Sequence, residues 1–173
     1  MAKTEKNLRT AFAGESMARN KYTFFAQVAR KEGYRYIAKL FEETANDERR
    51  HAKDIFKLLG GFKDTVSNLK EAIEGENYEV EDMYAAFEKD AKEEGIREAE
   101  ILFKTIAMVE EHHRNRYKRI LEMVINESVY KRDEPIKWKC DVCGYIHTGK
   151  EPPGVCPCCK HAKEYFEPAN MDL

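Results

Sequence analysis

Two Glu-x-x-His steps, Glu48-Arg49-Arg50-His51 and Glu110-Glu111-His112-His113, bring together the residue types that hold a divalent ion. On a helix, residues three apart stand on one face about one turn apart, so each step aims a carboxylate and an imidazole the same way. The steps lie 62 residues apart, and Tyr22/Tyr84, Phe25/Phe87, Ala29/Ala91, Leu40/Leu102, Phe41/Phe103 and Ala45/Ala107 keep the same offset. Residues 15–60 and 77–122 therefore read as two copies of one unit. A second cluster follows near the other end. Cys140-Asp141-Val142-Cys143 and Cys156-Pro157-Cys158-Cys159 are two Cys-x-x-Cys knuckles with twelve residues between them. Four thiolates so placed bind one ion tetrahedrally, and zinc and iron both satisfy that geometry. Cys158 is the surplus thiol when Cys140, Cys143, Cys156 and Cys159 are the ligands.

Long helices must position the first set. Leu8, Phe12, Glu15, Arg19, Tyr22, Ala26 and Ala29 fall at steps of three and four, which predicts a helix to about Lys31, capped by Thr4 or Asn7. Gly33 ends it. A second helix carries Ile37, Leu40, Phe41, Thr44, Glu48, His51 and Ile55 on one face and stops at Gly60-Gly61. Asp64-Thr65 predicts a cap for a short helical piece, Val66 to Ile73, which Gly75 breaks. A third helix is expected from about Glu76 to Glu94, and after Gly95 a fourth from Ile96 to about Val129. The architecture expected is all-α: two helical hairpins forming a ferritin-like four-helix bundle over residues 1–132. Asp133-Glu134-Pro135 is a linker signal, and residues 137–170 form a small separate metal-binding module. Trp138, Tyr145, Tyr165 and Phe166 offer that module a core, and His147 and His161 read as surface residues.

Counting from the tight turns puts Glu15, Glu48, Glu79 and Glu110 near one level. An unpaired inward carboxylate neutralises rather than ionises, so several at one height call for cations. Two divalent ions fit: Glu48 and Glu110 bridging, His51 and His113 supplying nitrogen, and Glu15, Glu76 and Glu79 completing the shells. Oxygen and imidazole donors favour iron or manganese. His112 competes with His113, and the spacing of three favours His113. Arg49, Arg50, Glu111 and Arg114 read as a solvated face. The repeat fails at one place, where Glu15 meets Asn77 with Glu76 and Glu79 on either side. Tyr22 and Tyr84, near the same stripe, are candidate hydrogen-bond donors to the carboxylates or plain aromatic packing.

Composition excludes several classes. A formal net charge of −2 gives no attraction for nucleic acid. The stretch from Met1 to Lys6 has no apolar run behind it, so neither a secretory signal nor a membrane span is expected. The five cysteines fall between residues 140 and 159 as a ligand pattern rather than a disulfide framework, which suits the cytoplasm. No Gly-x-Gly-x-x-Gly stretch exists, so a nicotinamide or flavin has no usual cradle here.

Glu15-Ser16-Met17-Ala18, Asp47-Glu48-Arg49-Arg50-His51-Ala52, Gly75-Glu76-Asn77-Tyr78-Glu79, Asp82-Met83-Tyr84, Glu110-Glu111-His112-His113 and the Cys-x-x-Cys-Gly-Tyr…Cys-Pro-x-Cys tail resemble the rubrerythrin family over essentially the whole chain. That resemblance implies a non-haem di-iron site in the bundle and one iron in a rubredoxin-like four-cysteine tail. It implies a peroxidase that reduces hydrogen peroxide to water and protects against oxidative stress. Glu15, Glu48, Glu76, Glu79, Glu110 and His113 would be the usual ligands, with His51 exchanging with Glu79 as the nearer iron changes oxidation state. Catalytic work would fall to Glu79, His51, Tyr22 and Tyr84, and the tail would hold iron rather than zinc. An external reductase or rubredoxin would supply electrons. The tail leaves one end of a bundle whose site lies about 20 Å away along the helices, so a head-to-tail homodimer is expected. Two other readings stay open: an iron-oxidising or storing bundle, and a bundle with a structural zinc tail used for docking.

Overall fold

The computed structural model describes residues 2–170; Met1, to which the N-terminal expectation reaches, lies outside them. Helix α1 runs Lys3–Lys31 and α2 runs Arg35–Leu58. Ala26, Ala29, Ala38, Ala45 and Ala52 are buried, and these small side chains let the two backbones approach closely. Gly33 turns the chain at φ 88, where Tyr34 N–H donates to Ala29 O at 2.8 Å and Gly33 N–H to Arg30 O at 3.1 Å. Gly95 repeats that turn at φ 74, with Ile96 N–H to Ala91 O at 2.9 Å and Gly95 N–H to Lys92 O at 3.2 Å. Both are left-handed closures that an L side chain resists. Within each hairpin the aromatic packing also repeats. Phe25 lies 5.6 Å from Phe41, and Phe87 lies 5.5 Å from Phe103, centroid to centroid.

The first hairpin begins without a side-chain cap: Ala2 precedes Lys3, so neither Thr4 nor Asn7 holds the start. In the second half, Asp64 does cap α3, accepting from Ser67 N–H at 2.9 Å. Helix α3 covers Thr65–Tyr78 and passes through Gly75 without a break. A glycine inside a helix costs only about 1 kcal/mol against alanine, which helical neighbours on both sides absorb. A π-helical turn, Glu79–Met83, joins α3 to α4, Tyr84–Glu93. Helix α5, Arg97–Ile125, ends before Val129, as Glu127 turns left-handed at φ 53.

The π turn accounts for the imperfect repeat. Closing i to i+5 takes one more residue than an α turn. After the turn the offset is 62, but before it Thr4/Thr65, Asn7/Asn68, Leu8/Leu69, Ala11/Ala72, Gly14/Gly75 and Glu15/Glu76 match at 61. Glu15 therefore corresponds to Glu76, not Asn77, and the repeat reaches back to Thr4.

By its contacts the chain divides into two compact units, the first ending at Lys63 and the second beginning at Asp64. The second unit also carries the small sheet, with strands Ile136–Cys140 (β1), Ile146–Gly149 (β2) and Phe166–Pro168 (β3) in the antiparallel order β2-β1-β3. Trp138, Cys140, Cys156 and Phe166 are its buried core, and Trp138 Nε1 donates to Gly149 O at 2.9 Å. Tyr165 is exposed rather than core, its ring set against His161. Arg132 lies over the Trp138 ring while its backbone N–H donates to Lys150 O at 2.9 Å, so the segment after α5 is tied to the sheet. Among the described residues, no helix is long and apolar enough to cross a membrane.

Candidate metal centres

Each hairpin builds one cluster from one helix of each kind. Glu15 on α1 meets Glu48 and His51 on α2, and Glu76 on α3 meets Glu110 and His113 on α5. Within each set the ligand atoms lie within 4.8 Å of one another. His51 Nδ1 stands 3.0 Å from Glu48 Oε2 and 3.4 Å from Glu15 Oε2. His113 Nδ1 stands 2.6 Å from Glu110 Oε2 and 4.0 Å from Glu76 Oε1. His113, not His112, is the member that its spacing favoured. His51 is exposed, whereas His113 and the four cluster carboxylates are partly buried.

The donors fit a divalent cation because they lack enough positive charge among themselves. Glu15 is raised above the usual carboxylate range, first by its hydrogen bond with Glu48 and then by burial, while Glu48 is lowered by Glu15 and His51. Of the two, Glu15 therefore holds a proton more readily and Glu48 less. Glu76 is raised by burial and then by Glu110 beside it. The His51 imidazole is raised, chiefly by Glu48, as expected beside anions. A cation would offset the same crowding of negative charge.

Metal binding is therefore linked to proton release. Because Glu15 and Glu76 hold protons to higher pH than free carboxyls, a metal must expel them. Affinity is then fullest above the raised pKa values and is lost as pH falls through them. Titrating metal-free protein with redox-silent Mn²⁺ in weak buffer should release protons, with affinity falling toward acid pH. Binding without proton release, and with flat affinity from acid to neutral pH, would contradict this linkage.

Glu79 opens the π turn and is not part of either tight cluster, although its charge reaches Glu76 and Tyr84. Burial raises Tyr84, as do Glu79 and Glu110, so its hydroxyl stays protonated beside the second cluster. Tyr22 packs on Phe25 and Phe41, each 6.2 Å away.

Arg114 departs from the sequence expectation. It is buried, not part of a solvated face, and it donates to Asn77 at 3.0 Å, Glu81 at 2.8 Å and Glu111 at 3.2 Å. A buried guanidinium needs such partners. Its position in the repeat offered a signal, since the counterpart of Arg114 at offset 62 is Ala52 and that of Glu81 is Arg19.

The tail holds a third centre. Cys140, Cys143, Cys156 and Cys159 converge, with Cys140–Cys159 and Cys143–Cys156 sulfur separations of 3.7 Å. A tetrahedron with metal–sulfur bonds of about 2.3 Å has edges of about 3.8 Å, so the sulfurs already stand at ligand spacing. The knuckles are alike: Gly144 N–H donates to Cys140 O at 2.9 Å and Lys160 N–H to Cys156 O at 3.0 Å, with Gly144 and Lys160 both left-handed. Burial pushes Cys156 up, but backbone N–H groups of Cys159 and Cys158 and the neighbouring thiols outweigh it and hold it at about 6. Cys143 is pushed up by burial and by the other three sulfurs, against a hydrogen bond from Tyr145 N–H. The lowered Cys156 offers a metal its first thiolate, and ligation requires the other sulfurs to give up their protons. Cys158 and His161 lie outside the four-sulfur cluster, and His161 Nδ1 faces Cys159 O at 3.2 Å.

The rubrerythrin family profile matches residues 6–121, and the rubredoxin-like domain of rubrerythrin matches residues 138–167. The chain belongs to the rubrerythrin family. It is 47% identical to rubrerythrin of Porphyromonas gingivalis, over 96% of this chain and 90% of that one. It is 41% identical to rubrerythrin of Nitratidesulfovibrio vulgaris, over 96% and 94% of the two chains. A structure of nigerythrin in its fully reduced, all-ferrous state shares 35% identity over 97% of this chain and 87% of that one, with a TM-score of 0.38. As a rubrerythrin-family chain it carries the family's di-iron carboxylate–histidine ligands, with Glu15, Glu48 and His51 clustered in the first unit and Glu76, Glu110 and His113 in the second, and a four-cysteine rubredoxin-like site.

Proposed function

We propose that this chain is a hydrogen peroxide reductase, with the carboxylate–histidine site as its reaction centre and the four-cysteine iron as its electron relay. The observation that carries the reading is the pairing, in one chain, of two matching Glu/Glu/His clusters with a tetrathiolate site. An iron-storing bundle has no use for a one-electron centre. Reducing peroxide to two waters breaks the O–O bond and consumes two electrons and two protons. Ferrous ions, when held there, would supply those electrons and polarise the oxygen that takes up charge.

The protein's own groups hold, orient and protonate. Glu15, Glu48 and His51 hold one ion, and Glu76, Glu110 and His113 hold the other. Glu79 would be the further carboxylate available to such an ion, in exchange with His51, as the resemblance to the family implies. The His51 ring lies 3.0 Å from Glu48, and that hydrogen bond raises its affinity for a proton. Tyr84, and by the same position in the repeat Tyr22, donate from their hydroxyls to orient carboxylates. Cys140, Cys143, Cys156 and Cys159 hold the relay iron, and burial of Cys140 and Cys156 keeps water from those sulfurs. Electrons come from an external reductase or rubredoxin, and a head-to-tail homodimer in the cytoplasm is the working unit.

The test is peroxide consumption by the purified iron-loaded chain with NADH, with and without a separate NADH-dependent reductase. Turnover is expected only when the reductase is present. Sustained turnover with NADH alone would overturn the external-donor reading. No peroxide loss with a competent reductase and full iron would overturn the peroxidase reading.

A further inference from the structure

We propose that Arg114 is a positioning residue that fastens the π turn Glu79–Met83 to α5 and so sets where the second metal cluster meets Glu79. Its guanidinium bonds the end of the helix before the turn, the turn itself and its own helix. Nη1 donates to Asn77 Oδ1 at 3.0 Å, near the end of α3, and to Glu81 Oε1 at 2.8 Å, inside the turn. Nη2 donates to Glu111 Oε1 at 3.2 Å on its own helix. Each anchor adjoins the site in sequence: Arg114 follows His113, Asn77 follows Glu76, and Glu81 stands two residues beyond Glu79. The Arg114 side chain is 11% exposed, whereas those of Glu81 and Glu111 are 61% and 56% exposed. The buried partner is thus the arginine, and the acids come to it.

The placement follows the inserted residue. A π turn stretches the helical ladder and has poorer internal hydrogen bonding than the α turns on either side, so something outside it must select it. Arg114 occurs in the half that has the turn. At the matching places in the first half stand Ala52 and Arg19, a pair that cannot make this bond, and there α1 runs from Lys3 to Lys31 as unbroken α-helix. Guanidinium chemistry suits the task, since one planar group reaches an amide and two carboxylates at fixed angles.

This inference rests on the proposed role of Glu79 for its consequence, but not for the clamp itself, and the test separates the two. Hydrogen exchange is followed by mass spectrometry on the full chain, metal-free and iron-loaded, for wild type, Arg114→Met, Arg114→Lys and the exchanged pair Glu81→Arg with Arg114→Glu. In metal-free Arg114→Met, amides of residues 79–84 should exchange at least about 10-fold faster, with those of 97–108 unchanged. The lysine variant should fall between, and the exchanged pair should recover more protection than Arg114→Met retains. Iron should add protection at 79–84 in wild type and little in Arg114→Met, and the Mössbauer signature of one of the two bundle irons should shift in that variant. Unchanged exchange at 79–84, or equal acceleration along all of α3, α4 and α5, would overturn the clamp. If the clamp result holds but wild-type iron adds no protection at 79–84, the Glu79 reading fails alone.

Discussion

Glu48→Ala should cost the protein its bundle iron and lower peroxide turnover by roughly 100-fold or more, a larger loss than removing a supporting hydrogen bond brings. Glu48 touches both other members of its cluster: its hydrogen bond with Glu15 raises that carboxyl's hold on a proton, and it stands 3.0 Å from His51 Nδ1. Its loss leaves Glu15 and His51 facing a gap with one anionic donor instead of two. Glu48→Gln keeps the shape but removes the charge, so it should retain the helix content and still lose iron. Metal analysis and turnover on both variants check this. Full bundle iron in Glu48→Ala would remove Glu48 from the ligand set.

Cys156→Ser should abolish the tail iron and slow donor-supported turnover roughly 100-fold, because the one-electron relay is gone. The bundle chemistry should survive. Chemically pre-reduced Cys156→Ser protein, given peroxide once, should oxidise its bundle irons as fast as wild type. Cys156 is the informative choice because it is fully buried and has its thiol held at about 6, below the usual cysteine range. The module should also lose stability, as Cys140 and Cys156 make up half of its buried core. Donor-supported turnover equal to wild type in an iron-free tail would show that electrons reach the bundle by another route.

Much of this was legible in residue spacing. The Glu-x-x-His steps and the cysteine knuckles each specify a local geometry, three residues on a helix or four around a tight turn, and such geometry survives folding unchanged. Gly33, Gly60 and Gly95 ended helices where expected because their left-handed backbone is a local demand. What escaped was set by distant packing or by a change of helical pitch. Gly75 looks like a break, yet α3 passes through it, since a single glycine costs less than losing the helix. The π turn cannot be seen in composition, and a fixed offset of 62 hid the match of Glu15 with Glu76. Allowing the offset to fall by one residue would have found both the inserted turn and the cluster member. Arg114 reads as solvated from sequence because it falls with Arg49, Arg50 and Glu111 on a charged face. Its burial depends on Asn77 and Glu81, 37 and 33 residues away, which periodicity on one helix cannot reveal.

Of all measurements, stopped-flow oxidation of the fully reduced iron-loaded protein by hydrogen peroxide and, separately, by dioxygen bears most directly on the central claim. The account predicts that one equivalent of peroxide oxidises the iron pair completely, and much faster than dioxygen does at equal concentration. An iron pair that ignores peroxide, or that dioxygen oxidises first, would contradict it.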